Sequence, residues 1–74
     1  MKIKLIITNE MGLVISQDVK SEWSVKKDGI QFFSKLNAYL NTYIIEYNKA
    51  NESHIQLLEA FDEEEVLLTS ITKN

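Results

Sequence analysis

The stretch from Asp28 to Ala50 constrains the fold most, because it has the pattern of one long amphipathic helix. With successive residues set 100° apart, its apolar side chains fall within an arc of roughly 140° that contains no polar residue. They are Phe32, Phe33, Leu36, Tyr39, Leu40, Tyr43, Ile44, Tyr47 and Ala50. We therefore expect this face to lie on a core and the opposite face to be in water.

Both ends of this helix carry sequence signals. Asp28 is followed three residues later by Gln31, a variant of the capping box in which both side chains satisfy free amides of the first turn. Asn51 follows the point where the apolar period lapses, and asparagine can adopt a left-handed terminal conformation. The sequence predicts one helix that begins near Asp28 and ends around residues 49–52.

Two strands are predicted before the helix. Residues 2–8 alternate with a period of two, and a partly apolar second face suits a central strand. Residues 9–12 have asparagine first and glycine fourth, as in a type I turn closed by a left-handed residue. Alternation then continues to residue 26, too far to pair with a first strand of about seven residues. We expect residues 18–26 to leave the ladder as a charged edge or loop that carries Trp23 back over the core.

The last third of the chain has two short apolar runs, residues 54–61 and 66–72, rich in leucine and β-branched residues. This composition favours a second hairpin around the acidic residues 62–65. The alternative is a C-terminal helix, since Leu57, Leu58, Phe61 and Leu68 share a helical face.

The predicted fold is therefore a single α+β domain of residues 1–74, with ββαββ order and one long helix covering one face of a four-stranded sheet. The alternative is ββα with a C-terminal helix. A right-handed crossover would place the first and last strands parallel in the centre, in the order 2-1-4-3. The ββαββ order resembles the β-grasp architecture in element order.

Composition excludes several classes of protein. The chain has no cysteine, which excludes disulfide scaffolds and thiolate zinc sites. It has no arginine, the side chain best suited to bidentate contact with phosphate or guanine. No apolar run approaches a signal peptide or a membrane span, so we expect a soluble cytoplasmic protein with no membrane partner. The asparagine-, isoleucine- and lysine-rich composition suggests an AT-rich bacterial or phage genome.

Residues that could carry chemistry are scarce. His54 is the single histidine and stands just past the predicted helix end, where an exposed or capping role is the ordinary one. Gly12 and Gly29 lie in a turn and at a helix start, which is no phosphate-binding loop. We therefore predict a non-catalytic protein with no cofactor and no metal site.

The acidic residues Asp62, Glu63, Glu64 and Glu65 are the densest charge feature, within a chain of net charge −3. They could be a solvated turn that keeps strands apart, or a patch presented to a basic partner surface. A calcium loop would need alternating ligands around a glycine, and none is present here.

The length of the helix suggests a second contact surface. Its 23 residues would span roughly 34 Å, whereas strands of six or seven residues span about 20–23 Å, so the helix should either overhang the sheet at one end or cross it steeply. We expect Tyr43, Ile44 and Tyr47 to be left partly exposed there, unless Trp23 folds back over them.

Together these features predict a protein-binding module, a small regulator or inhibitor that occludes a partner surface, acting as a single chain or as a homodimer. The acidic residues 62–65 would steer association, and Trp23, Tyr43 and Tyr47 would anchor it. The alternative is a nucleic-acid-associated protein that stacks bases on Tyr39, Tyr43 and Tyr47 and uses the N-terminal lysines.

Overall fold

The computed structural model describes residues 1–73 and shows an α+β fold with one four-stranded sheet and one long helix. The elements are β1 Lys2–Asn9, β2 Val14–Lys20, a one-turn helix α1 Val25–Asp28, the long helix α2 Gln31–Ala50, β3 Ile55–Phe61 and β4 Leu67–Thr72. The predicted ββαββ order is confirmed. The alternative C-terminal helix is wrong, because both C-terminal apolar runs form strands.

The sheet order is β2-β1-β3-β4, and all neighbours are antiparallel. The predicted order 2-1-4-3, with first and last strands parallel in the centre, is therefore wrong. The more apolar strand takes the central place: Ile55, Leu58 and Ala60 of β3 are buried, whereas the inward residues of β4 are half-buried. Antiparallel pairing of β3 with β1 is also slightly more stable per residue than a parallel pair.

The helix begins later than predicted. Asp28 ends α1, and Gly29 at φ 62° separates α1 from α2. The N-cap of α1 is Ser24, whose Oγ accepts from Lys27 N, while Asp28 Oδ2 accepts from Ser24 N at 3.0 Å. The capping role predicted for Asp28 is therefore wrong, because Ser24 starts an extra turn that uses the aspartate from its C-terminal end.

The second strand also extends further than expected. Residues 18–20 stay in the ladder, opposite residues 4, 3 and 2 of β1, so they do not leave it as predicted. The chain leaves at Ser21, which is held by Met1 on both sides: Met1 N donates to Ser21 O, and Ser21 N donates to Met1 O, each at 2.8 Å. From there the loop carries Trp23 back against the core, as predicted.

The core lies between α2 and one face of the sheet. Among residues 1–73 it contains ten buried apolar residues, three from β1, four from α2 and three from β3. These are Ile3, Leu5, Ile7, Phe32, Leu36, Leu40, Ile44, Ile55, Leu58 and Ala60. The four helical residues recur every fourth position, so a single stripe of α2 contacts the two central strands.

The expected overhang of the helix is small. The 20 residues of α2 span about 30 Å, and the eight residues of β1 span about 27 Å, because the helix is shorter and the strand longer than predicted. Ile44, near the end expected to be exposed, is buried against the core. The helix is therefore about as long as β1, the longest strand of the sheet.

Candidate protein-interaction surface

The acidic turn, residues 62–65, joins β3 to β4 and is held by its own first residue. Asp62 Oδ1 accepts from Glu64 N at 2.8 Å and from Val66 N at 2.9 Å. Glu65 N donates to Asp62 O at 3.1 Å, and Asp62 N donates to Val66 O at 3.0 Å. One carboxylate is thus used inside the turn, whereas the side chains of the other three residues are exposed.

The turn between β1 and β2 has the same hydrogen-bond pattern. Asn9 Oδ1 accepts from Met11 N and Leu13 N, each at 3.0 Å, and Gly12 N donates to Asn9 O at 2.9 Å. Gly12 adopts φ 81°, and Glu65 adopts φ 64° at the matching position of the acidic turn. A non-glycine residue is strained in this left-handed region. The first turn has the favoured glycine at this position, whereas the acidic turn has a glutamate.

The outer carboxylates of the acidic turn form no salt bridge within residues 1–73. Glu63 Oε1 accepts from the backbone N of Lys2 at 3.1 Å. The ammonium of Lys2 instead lies 3.6 Å from Asp18 Oδ2, in a pair whose side chains are more than half exposed. The negative charge of Glu63, Glu64 and Glu65 is therefore not neutralised by ion pairing in this part of the chain.

The acidic turn borders the open face, by which we mean the sheet face opposite α2. The strand registers define its cross-strand rows, because paired residues point to the same side. One row runs Asp18–Lys4–Phe61–Leu67, and the next runs Ser16–Ile6–Glu59–Ser70. Leu67 is 49 % exposed. A depression of about 540 Å³ near the turn is lined by two lysines, Ser16 and four carboxylate residues.

The open face therefore combines half-buried apolar side chains with a charged border. Ile6, Phe61 and Leu67 were not among the residues predicted to bind a partner. Alternation in residues 2–8 already placed Ile6 on the second face, but the contribution of Phe61 and Leu67 depends on the strand order.

The predicted aromatic anchors lie on the other side of the sheet. Trp23 packs edge-on against Tyr39, with ring centroids 5.7 Å apart, and Tyr43 and Tyr47 stack at 6.5 Å. All four rings are partly buried and pack against the core. Tyr43 Oη donates to Gln17 Oε1 on β2. The structure does not bring Trp23, Tyr43 and Tyr47 onto one surface with residues 62–65.

Burial is the main reason that the pKa of Tyr43 is raised above its usual value, with smaller contributions from Tyr39 and Tyr47. The rings of Tyr39, Tyr43 and Tyr47 thus pack against the core and one another, and Tyr43 is hydrogen-bonded to β2. A surface that stacks nucleic-acid bases would instead be expected to present its rings in a lysine-rich groove.

His54, directly before β3, is hydrogen-bonded to Glu10 of the first hairpin. Its backbone N donates to Glu10 Oε1 at 2.9 Å, and its Nδ1 lies 3.7 Å from the same oxygen, with both side chains mostly exposed. Across residues 1–73, no three His, Cys, Asp or Glu side chains are grouped so that they could hold a metal ion. Within the same residues, neither helix has the length and apolarity needed to cross a membrane.

No family model, curated protein or solved structure matches this chain. The acidic turn and the open face beside it are therefore the features on which a function can be proposed.

Proposed function

We propose that the chain is a non-catalytic protein-binding module, a small regulator or inhibitor that occludes a basic surface of its partner. The observation that carries this proposal is the acidic turn, whose three outer carboxylates lack salt bridges within the described chain. Exposed carboxylates of this kind accelerate and orient association with a basic surface without being buried themselves.

Strain at Glu65 supports the same proposal. A left-handed glutamate costs roughly 1–2 kcal/mol relative to an ordinary backbone conformation, yet the matching turn of the same chain has glycine. Backbone strain of this kind is concentrated at functional sites. A role for the Glu65 carboxylate in binding would account for its presence.

The open face supplies apolar contact area next to the charge. Phe61 ends β3 directly before the turn, and Leu67 begins β4 directly opposite it. An interface with apolar residues at its centre and charged residues at its rim is the usual arrangement. We therefore place the partner over the row from Lys4 to Leu67, with the acidic turn at its border.

The test is quantitative affinity capture from lysate with three versions of the chain. The first is the native chain, and the second carries Glu63→Gln, Glu64→Gln and Glu65→Gln. The control carries Glu22→Gln, Glu46→Gln and Glu52→Gln, which remove the same charge from exposed positions elsewhere.

We expect the native chain and the control to retain the same protein partner, and the turn variant to lose it. Retention should also weaken with added salt, because exposed charges are screened. Equal capture by all three versions would remove the acidic turn from the proposal. Nuclease-sensitive capture would favour the alternative, a nucleic-acid-associated protein, whose binding falls steeply with salt.

Phe61→Gln tests the open face separately, with Phe33→Gln as its control. Phe33 is 39 % exposed on the helix, on the opposite side of the sheet. We expect the Phe61 variant to lose the partner and the Phe33 variant to keep it. The opposite result would move the interface to the helical side, where Trp23, Tyr43 and Tyr47 lie.

A further inference from the structure

The outer edge of β4 has free backbone groups at regular intervals. Lys73 N donates to Gln56 O at 2.7 Å, in the same register as the pairs Leu58–Ile71 and Ala60–Thr69. Since hydrogen-bonded and non-hydrogen-bonded pairs alternate along an antiparallel ladder, Ser70 and Thr72 direct their N–H and C=O groups away from β3. No other strand of residues 1–73 pairs with this edge.

The two edge strands of the sheet differ in their protection against further pairing. Edges are usually blocked by charged side chains, proline or bulges. The edge strand β2 carries Asp18 and Lys20, whereas β4, with the sequence LLTSIT, has no charged residue and no proline. A bulge occurs at its start, near Leu67, and the remainder of the strand is regular.

Charge at the two ends of β4 makes the strand self-complementary in one orientation. The acidic turn precedes β4, and Lys73 follows it. Antiparallel pairing of two copies brings Lys73 of each copy towards the acidic turn of the other. Parallel pairing would place the two acidic turns side by side, where like charges repel.

We propose that β4 pairs antiparallel with β4 of a second copy, about a two-fold axis at Ser70, to form a continuous eight-stranded sheet. The two Ser70 residues then exchange backbone hydrogen bonds across the axis. Thr72 of one copy lies opposite Leu68 of the other, and Lys73 lies opposite Leu67, two residues from Glu65. Both helices lie on the same side of the joined sheet.

This inference does not rest on the proposed function, because its central contacts are backbone groups and not the carboxylates of the acidic turn.

Pairing of six residues buries less than the roughly 1,600 Å² of a standard interface. We therefore expect a dimer that dissociates on dilution, and sedimentation velocity over a concentration series should show monomer and dimer in exchange.

Cysteine cross-linking tests the axis directly, because the native chain has no cysteine. Residues opposite each other in a hydrogen-bonded pair have Cα atoms about 5.5 Å apart, within the range that a disulfide spans. The Ser70→Cys chain should therefore form a covalent dimer under mild oxidation. We expect its rate to exceed that of both controls by about tenfold or more.

The first control is Ser16→Cys, which ends the same cross-strand row on the opposite edge of the sheet. The second is Thr72→Cys, whose Cα atoms would be about 14 Å apart in the proposed register, too far for a disulfide. Lys73→Glu should weaken the sedimenting dimer about two- to fivefold, and adding Glu65→Lys should restore it.

A chain that sediments as a monomer at millimolar concentration would overturn the proposal. Ser70→Cys cross-linking no faster than Ser16→Cys would do the same. Faster cross-linking of Thr72→Cys than of Ser70→Cys would contradict the register. Cross-links between the Ser16→Cys and Ser70→Cys chains would show head-to-tail pairing of β2 with β4, which produces open filaments in place of a closed dimer.

Discussion

Replacing Glu65 by glycine should stabilise this chain, although it removes a side chain from the densest charged feature of the molecule. Glu65 has φ 64°, where a Cβ atom is disfavoured, and Gly12 occupies the matching position of the other hairpin at φ 81°. Glycine at position 65 would give the two turns the same backbone and the same favoured residue.

The magnitude follows from two opposing terms. Relief of the left-handed conformation contributes roughly 1–2 kcal/mol, and the extra backbone freedom of glycine in the unfolded chain costs roughly 0.5–1 kcal/mol. The net stabilisation is about 0.5–1 kcal/mol. For 74 residues the entropy of unfolding is about 0.16 kcal/mol/K, so the melting temperature should rise by about 3–6 °C.

The assay is thermal and urea unfolding followed by circular dichroism. Glu65→Gln removes the charge and keeps the strain, so it measures the repulsion among the carboxylates alone. Glu64→Gly places glycine at a neighbouring position without a positive φ, where we expect destabilisation of up to about 1 kcal/mol.

If the Glu65→Gly chain were no more stable than the Glu65→Gln chain, the left-handed backbone at position 65 would carry no conformational cost, contrary to expectation. If the proposed function is also correct, Glu65→Gly should fold more stably and bind its partner more weakly. Such a change in opposite directions is typical of strain retained for function.

Four further outcomes follow from the structure. Gly12→Ala should lower stability by about 0.5–1 kcal/mol in urea unfolding, because the same two opposing contributions apply with the sign reversed. No atom lies within 4 Å of the added Cβ, so a negligible loss would contradict the conformational explanation. Leu58→Ala should lower the free energy of unfolding by about 2–5 kcal/mol. That is a large part of the total of about 4–11 kcal/mol expected for a chain of 74 residues. A smaller loss would mean that the core is not packed as described. Because the pKa of Tyr43 is raised, its contribution to stability is fully present below pH about 10 and falls as pH rises further. The Tyr43→Phe chain should lose less folding stability at alkaline pH than the native chain. An equal loss would show that ionisation of Tyr43 is not its cause. Hydrogen bonds from Lys35 and Ser24 lower the pKa of Asp28, so the contribution of Asp28 to folding stability is present above pH about 4 and is lost as pH falls below that value. The stability of the Asp28→Asn chain should therefore depend less on pH in acid. An unaltered acid dependence would argue against a stabilising role for these hydrogen bonds.

The helix and the hairpins were predictable because they depend on local patterns. The apolar period of residues 32–44 gave the buried stripe of α2, and alternation in residues 3–7 gave the core face of β1. The turn at residues 9–12 was recognised from its asparagine and glycine. The matching turn at residues 62–65 was missed as a turn type, because a glutamate occupies the position where the pattern has glycine.

The candidate surface was only partly predictable. Sequence alone located the acidic residues 62–65, since a run of charge needs no knowledge of packing. It also pointed to Trp23, Tyr43 and Tyr47, but the structure places these rings against the core on the helical side. Phe61 and Leu67 became neighbours of the turn only through the pairing of β3 with β4.

By itself the sequence indicated the two hairpins and the long helix, the apolar stripes of residues 3–7 and 32–44 that face the core, and where negative charge is concentrated. These properties follow from the period of apolar residues and from turn chemistry, both of which act over a few positions. Tertiary structure alone decided that β3 takes the place beside β1 and leaves β4 as an uncharged edge. Strand order depends on which strand buries more apolar surface under α2, and that competition involves residues far apart in the chain.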